Sequence, residues 1–244
     1  MKKRDFAAVL AASLFFFASG ASATIYPIGI SINGTPFASD DVQLPESPQS
    51  VYGVRIGLAR AGHDEMAGLA VAVGYNSDSF AGGFQIAALG KNFVKSADWG
   101  LWQIAPFGNK LEGGGGVFQL SLDNEIDGDA EGLQFGFYNE AVGTFDGVQV
   151  GTINANGEGK RCDFSGLQIG AVNSDFGRFS GVQIGLLNMI GGGSSASFRG
   201  LQIGAINYIE CPPASCVGVQ IGVANVTSGR DWGIGFVPGL RVIF

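Results

Sequence analysis

The 244-residue chain carries 14 Lys and Arg against 21 Asp and Glu, which gives a net charge of −7. An acidic chain of this kind repels phosphate backbones, so the composition argues against nucleic acid as a partner. With 41 Gly, 46% hydrophobic residues and no helical period, the sequence also excludes a disordered chain and favours an all-β fold.

The N-terminal 23 residues have the pattern of a cleaved export signal. Cations at positions 2–4 precede an apolar run at 6–17, and residues 21–23 have the small-x-small form of a signal-peptidase site. The run is too short to span a bilayer, and no lipid-anchoring cysteine follows it. The sequence therefore predicts a signal peptide at residues 1–23 and export to the outer membrane or cell surface.

Residues 24–50 are predicted to form an N-terminal strand and linker, and residues 51–244 a β-repeat domain. The domain is defined by the template G-[LV]-Q-[IVF]-G-x-x-N, in which Gln is the central position of one unit. Six units match the template throughout, and their regular spacing indicates a repeat architecture. They begin at Gly132, Gly147, Gly166, Gly181, Gly200 and Gly218.

Less regular units precede these six. The central Gln is kept at Gln85, Gln103 and Gln119, whereas Arg55 and Ala70 occupy that position in two earlier units. We interpret these five as degraded copies of the template.

Within each unit, residue types alternate with the period of two that is typical of a β-strand. In the unit at Gly181, one face carries Gly and Gln, and the other carries Val182, Ile184, Leu186 and Asn188. We therefore expect one Gly/Gln face and one aliphatic face. Asn is suited to turns, so the Asn of each unit is predicted to lie where the strand turns.

Two architectures fit this repeat. In an up-and-down antiparallel barrel, each unit supplies one strand of about ten residues and a short turn. In a parallel β-solenoid, each unit is one full coil, so its strand must be shorter and a return segment must follow. A solenoid would stack Gln on Gln and Asn on Asn in ladders.

The C-terminal residues favour the barrel. Apolar residues alternate from Pro238 onward and the last residue is Phe244, which looks like the C-terminal signal of bacterial outer-membrane barrels. The sequence therefore predicts an all-β, up-and-down antiparallel β-barrel of about 12 strands, of the outer-membrane type, with outer-membrane lipid as the partner of its aliphatic face. The parallel β-solenoid is the alternative.

The repeat resembles a known group of proteins. Residues 26–30 (YPIGI), residues 51–57 (VYGVRIG) and the G-[LV]-Q-I-G-x-x-N series are similar to bacterial surface repeat-containing proteins, a group that includes leptospiral surface lipoproteins. The resemblance covers residues 24–244. It implies export and a surface or outer-membrane location, and it supplies no catalytic residues. This chain lacks the lipidation cysteine of the lipoprotein members.

The sequence offers few residues for chemistry. His63 is the single histidine, which excludes HExxH sites and most His-based metal sites, and we expect it in a solvated turn. Residues 123–129 partly match a calcium loop, but Gln134 stands where a bidentate Glu is needed, so we expect an acidic turn. We predict no catalytic, cofactor-binding or metal-binding residues, no cofactor and no enzymatic activity.

The three cysteines leave two possibilities open. An exported location permits disulfides. Cys211 and Cys216 could close a short loop and leave Cys162 free, or all three could be free thiols.

These features predict a structural or pore-type outer-membrane or surface protein without catalytic activity. The alternative is a soluble or surface-attached β-solenoid that acts as a binding or adhesion scaffold. The sequence identifies no protein partner.

Overall fold

The computed structural model describes residues 25–31, 50–57, 60–157, 162–192, 195–212, 215–228 and 235–243. The predicted signal peptide at 1–23 and most of the linker at 24–50 lie outside the described residues. The strands are β1 (Ile25–Ser31), β2 (Ser50–Gly57), β3 (Arg60–Ala72), β4 (Tyr75–Ala87), β5 (Lys91–Ile104), β6 (Gly108–Leu111), β7 (Gly115–Leu120), β8 (Asp123–Asp127), β9 (Ala130–Asn156), β10 (Cys162–Ile169), β11 (Val172–Gly191), β12 (Ser197–Glu210), β13 (Cys216–Ser228) and β14 (Gly235–Ile243).

The strands form a parallel β-solenoid of about ten turns. Among the described strands, every pair is parallel except β13 with β14. Equivalent residues of successive units lie side by side, so Gln168 pairs with Gln149 on one side and with Gln183 on the other. The predicted antiparallel outer-membrane barrel is therefore wrong, and the solenoid alternative is confirmed.

The barrel prediction failed because each coil bends. The coil that contains β7 and β8 shows this directly, since β7 pairs with β5 and β9 while β8 pairs with β6 and β9. Only Ser121 and Leu122 separate these two short arms. Strand segments of about six residues or fewer let the chain return to its start within one repeat, which a straight ten-residue strand could not do. We call the arm with the central position the first arm and the arm that begins at the Asn the second arm.

The bend also moves the Asn of each unit. Asn188 was predicted on the aliphatic face, but it is fully buried. Leu186 and Leu187 both lie at the bend between Gly185 and Asn188, so the alternation shifts by one residue there. The prediction that the Gly/Gln face and the aliphatic face are separate is confirmed, with Gln inside and the aliphatic residues outside.

The C-terminal strand has a different role from the one predicted. β14 pairs antiparallel with β13, and Gln220 lies opposite Arg241 in this pair. A barrel would use this strand to complete a closed antiparallel sheet. Here its antiparallel pairing interrupts the stacking of coils, so it caps the end of the solenoid.

The interior contains apolar columns beside its amides. Phe145, Phe164, Phe179 and Phe198 stack on one another with ring centroids 5.4 to 6.0 Å apart. All four are buried. Burial of an aromatic side chain contributes a few kcal/mol at most, and stacking adds to it, so this column stabilises the C-terminal half.

In most coils, the first arms approach one another too closely for a side chain two residues before the central position. At Gly181, whose φ is 145°, a Cβ would lie 1.9 Å from the carbonyl oxygen of Gly166. Only glycine combines this φ with this close approach. The unit at Gly181 therefore requires Gly here, whereas Leu101 and Val117 occupy the equivalent position in two earlier coils.

We predict that Gly181→Ala lowers the free energy of unfolding by at least about 3 kcal/mol, because it adds a backbone clash to an unfavourable φ. The matched control is Gly82→Ala in β4, where a Cβ meets no atom within 4 Å. The control should change stability by less than about 0.5 kcal/mol. Urea unfolding monitored by circular dichroism would measure both, and equal effects would contradict the close stacking of first arms.

Candidate functional site

The central glutamines form a continuous hydrogen-bonded ladder. Each Nε2 donates to the Oε1 of the preceding coil at 2.6 to 3.1 Å, as in the bond from Gln149 to Gln134 at 2.6 Å. All its members are buried, and because each amide both donates and accepts, each interior rung satisfies its neighbours. The members are Gln85, Gln103, Gln119, Gln134, Gln149, Gln168, Gln183, Gln202 and Gln220.

A second ladder runs beside the first in the opposite direction. Here the Nδ2 of each Asn donates to the Oδ1 of the next coil, for example from Asn139 to Asn154 at 2.8 Å. The other hydrogen of Asn139 goes to the carbonyl of Val150 at 3.1 Å. Because the two ladders point in opposite directions, their amide dipoles oppose each other. The ladder contains Asn76, Asn92, Asn109, Asn124, Asn139, Asn154, Asn173, Asn188, Asn207 and Asn225.

The Gln ladder ends at a buried ion pair in the N-terminal coils. Arg55 extends past the small Ala70 of the next coil and pairs with Asp78, and both side chains are fully buried. One Asp78 oxygen accepts both from Arg55 Nη2 at 2.7 Å and from Gln85 Nε2 at 2.6 Å. Two of the five units interpreted as degraded copies, those of Arg55 and Ala70, therefore form the N-terminal cap of the ladder. The sequence offered a signal for this, since Arg55 and Asp78 both replace uncharged inward residues.

Asp175 is a buried carboxyl group inside the ladder region. It accepts hydrogen bonds from Asn156 at 2.7 Å, Gln168 at 3.2 Å and Gln183 at 2.5 Å. Burial raises the pKa of Asp175 from 3.8 to about 7, although these hydrogen bonds oppose the shift. The neighbouring Cys162 thiol is buried too, and its pKa is raised by burial and then by the Asp175 charge. A thiol in this environment is a poor nucleophile.

The residues considered for chemistry are separated from one another. His63 lies in strand β3, not in a turn, and the acidic residues 123–127 form strand β8. Glu125 of β8 pairs with Lys110 of β6 at 2.8 Å on the surface. In the described part of the chain, no group of three His, Cys, Asp or Glu side chains could hold a metal ion. The structure therefore does not bring these candidates together into one site.

The cysteines follow the first of the two predicted arrangements. Cys211 and Cys216 form a disulfide that closes the loop between β12 and β13, and Cys162 is free and buried. The disulfide therefore constrains the loop through which the chain passes from β12 into the last complete coil.

The largest organised surface is an outward-facing sheet of apolar side chains. It consists of the two columns that flank the central positions on the first arms, and we call it the apolar face. One column lies one residue before the central position and contains Val54, Leu69, Phe84, Trp102, Phe118, Leu133, Val148, Leu167, Val182, Leu201 and Val219. The other lies one residue after it and contains Ile56, Val71, Ile86, Ile104, Leu120, Phe135, Val150, Ile169, Ile184, Ile203 and Ile221.

Both columns are apolar at each of the eleven coils. These side chains remain exposed to solvent although each has a neighbour in the same column: Ile184 is 38% exposed and Ile56 is 49% exposed. In the N-terminal half, the rings of Phe84, Trp102 and Phe118 stack along the face with centroids 5.4 and 4.6 Å apart. The apolar face is thus a continuous, regular surface rather than a set of isolated hydrophobic residues.

The second arms present a surface of different chemistry. They carry the Lys110–Glu125 ion pair and two tyrosine–glutamate hydrogen bonds, one of them between Tyr208 and Glu210 at 3.3 Å. The second arms therefore carry charged groups, and the first arms carry Glu131, Asp146 and Arg199 outside the apolar face. Among the described residues, no helix is both long and apolar enough to cross a membrane.

Comparison of the chain with protein-family models, with curated proteins and with solved structures gives no match.

We expect the pKa of Asp175 to make stability depend on pH. Because its folded-state pKa lies above the ordinary value of 3.8, the folded chain holds this proton more tightly than the unfolded chain. Stability should therefore fall as pH rises toward the folded pKa, by about 2 to 3 kcal/mol between pH 5 and pH 8.

The variant Asp175→Asn should lack this contribution, whereas Asp146→Asn, which removes an exposed carboxylate nearby, should keep it. Urea unfolding of the three proteins at pH 5 to 8 measures the difference. Identical pH slopes for all three would show that Asp175 titrates normally.

The Arg55–Asp78 pair should show strong coupling. The single change Asp78→Val leaves the Arg55 charge buried without its partner and should cost about 3 to 5 kcal/mol of unfolding free energy. The double variant Arg55→Met with Asp78→Val removes both charges and should be more stable than the single variant. A double-mutant cycle by chemical denaturation checks this, and purely additive effects would contradict the buried pair.

Proposed function

We propose that this protein is a non-catalytic β-solenoid scaffold, exported to the cell surface, that binds a partner through its apolar face. The observation that carries the proposal is the apolar occupancy of both outward columns at all eleven coils. A repeat that keeps one surface apolar from end to end fits the binding or adhesion scaffold predicted as the alternative function.

The size of the apolar face supports a binding role. Eleven strands spaced about 4.8 Å apart give a length of about 50 Å, and a width of about 15 Å gives an area of about 750 Å². The largest exposed apolar patch on a typical monomer is about 300 to 600 Å², and larger patches mark interaction sites. The apolar face exceeds that range.

The interior supports a rigid scaffold rather than a catalyst. The carboxyl groups of Asp78 and Asp175 are buried among amide donors, and Asp78 also pairs with Arg55. Cys162 is buried behind them. These groups are engaged in holding the coils together, so they are poorly placed to meet a substrate.

The location rests on the sequence. The export signal predicted at residues 1–23 and the resemblance to bacterial surface repeat proteins support the proposal of a surface protein. The predicted contact with outer-membrane lipid depended on a barrel, and the parallel register removes that argument. We therefore place the partner of the apolar face outside the bilayer.

A matched pair of double variants tests the proposal. Val148→Lys with Leu167→Lys puts two charges in the middle of the apolar face, and Val142→Lys with Ala155→Lys puts two on the second arms. We expect an effect from the first pair only. If the wild-type protein is associated, the first pair should lower its molar mass. If it is a monomer, the first pair should reduce the binding of the apolar dye 8-anilinonaphthalene-1-sulfonate by at least about twofold.

Light scattering measures the molar mass, and dye titration measures how much dye the monomer binds. Circular dichroism confirms that each variant is folded. If mass and dye binding are the same for wild type and both variants, the apolar face is not a binding surface and the proposal is wrong.

A further inference from the structure

We infer that the occupant of the apolar face is a second copy of this chain, bound face to face with the two solenoid axes running in opposite directions. This inference rests on the proposed function and names the partner of the same surface. Its grounds are the area of the face, its regular strand spacing, the absence of charge in its two columns, and the distribution of large and small side chains along it.

The area of the face is sufficient for a stable dimer. Two faces of about 750 Å² would bury about 1,500 Å² in total, which falls within the standard range of about 1,200 to 2,000 Å² for specific interfaces. Both surfaces would have the same strand spacing of about 4.8 Å, so side chains of one copy can pack between those of the other along the whole length.

The two columns of the apolar face carry no charge. The chain is acidic, but neither column of the apolar face contains a charged side chain. Other charges lie outside the face: Glu131, Asp146 and Arg199 are exposed on the first arms, two residues before the first column. Lys110 and Glu125 lie on the second arms. At physiological ionic strength, screening over about 8 Å weakens the repulsion between like charges of the two copies.

Side-chain size selects the direction of the second copy. In the column before the central position, the large residues Phe84, Trp102 and Phe118 lie in the N-terminal half, and the smaller Val148 and Val182 lie in the C-terminal half. If the axes ran in the same direction, the aromatic halves would meet and hold the aliphatic halves apart.

Opposite axes solve this mismatch. We place a two-fold axis along the strand direction at the coil of Leu133, which is the middle coil of the face. A coil a given number of steps before Leu133 in one copy then lies against the coil the same number of steps after Leu133 in the other copy. Phe118 of one copy then lies opposite Val148 of the other, and Trp102 lies opposite Leu167. Each of the three aromatic side chains in this column therefore meets a Val or a Leu, which is how well-packed interfaces fill space.

Light scattering and sedimentation velocity on the full chain test the dimer. Wild type should have twice the mass of one chain, and Val148→Lys should raise the dissociation constant at least about 30-fold, since it buries an unpaired charge at the centre of the contact. Val142→Lys, the same substitution on the second arm of the same strand β9, should leave the dissociation constant unchanged.

Cysteine cross-linking tests the direction. With opposite axes, a mixture of Trp102→Cys and Leu167→Cys chains should form a disulfide-linked dimer, and Leu133→Cys should link to itself. Trp102→Cys alone should not link, because its two copies would lie four coils, or about 19 Å, apart. Native cysteines give little background, since Cys162 is buried and the other two are bonded to each other.

Three results overturn the inference. A linked dimer of Trp102→Cys alone shows that the axes run in the same direction. A monomeric wild type whose dye binding depends on the apolar face shows a different occupant and leaves the proposed function standing. Flotation of a monomeric wild type with neutral phosphatidylcholine vesicles, lost in Val148→Lys, identifies that occupant as lipid.

Discussion

The fold depends on the pairing of buried side-chain amides. A primary amide has both donors and an acceptor, so identical amides satisfy one another only when equivalent residues stack at the strand spacing. A slip of one residue at Gln168 would bury several unpaired polar groups, at about 1 to 3 kcal/mol each. The amides therefore enforce a parallel, in-register stack, whereas an antiparallel arrangement would not align equivalent glutamines and asparagines along a column.

The amides share the interior with apolar columns, and the alternation of the first arms places further aliphatic residues on the outside. The ladders also need ends, and the two ends differ. At the N-terminal end, Arg55 and Asp78 supply a charged cap that accepts the last free amide hydrogen. At the other end, β14 covers the stack while the Oε1 of Gln220 and the hydroxyl of Thr227 have no hydrogen-bond partner. The structure thus satisfies its amides along the column and concentrates its unsatisfied atoms at the ends.

The sequence predicted the faces correctly but not the path of the chain. Alternation around Gln183 was sufficient to separate the Gly/Gln side from the aliphatic side, and the solenoid alternative correctly anticipated both ladders. The prediction went wrong at the bend, where Gly185 and Asn188 both point inward although they are three residues apart. That odd spacing was visible in every complete template and is incompatible with a straight strand. The sequence marks Arg55 and Asp78 as unusual, but their pairing across Ala70 could not be predicted, because it depends on the register of the coils.

The stacked aromatic side chains lie on the outside of the solenoid in its N-terminal half and on the inside in its C-terminal half. In the coils of Gln85 and Gln119, the inward position four residues before the centre holds the small residues Ala81 and Gly115, and the outward position just before the centre is Phe. In the C-terminal half, phenylalanines such as Phe164 fill the inward position, and the outward neighbours are Val or Leu. The same amide ladder continues unbroken through both halves, so the spacing of coils is independent of where the aromatic rings lie. A scaffold held by its amides can therefore vary the shape of its outer face without changing its backbone, which is the property a binding surface requires.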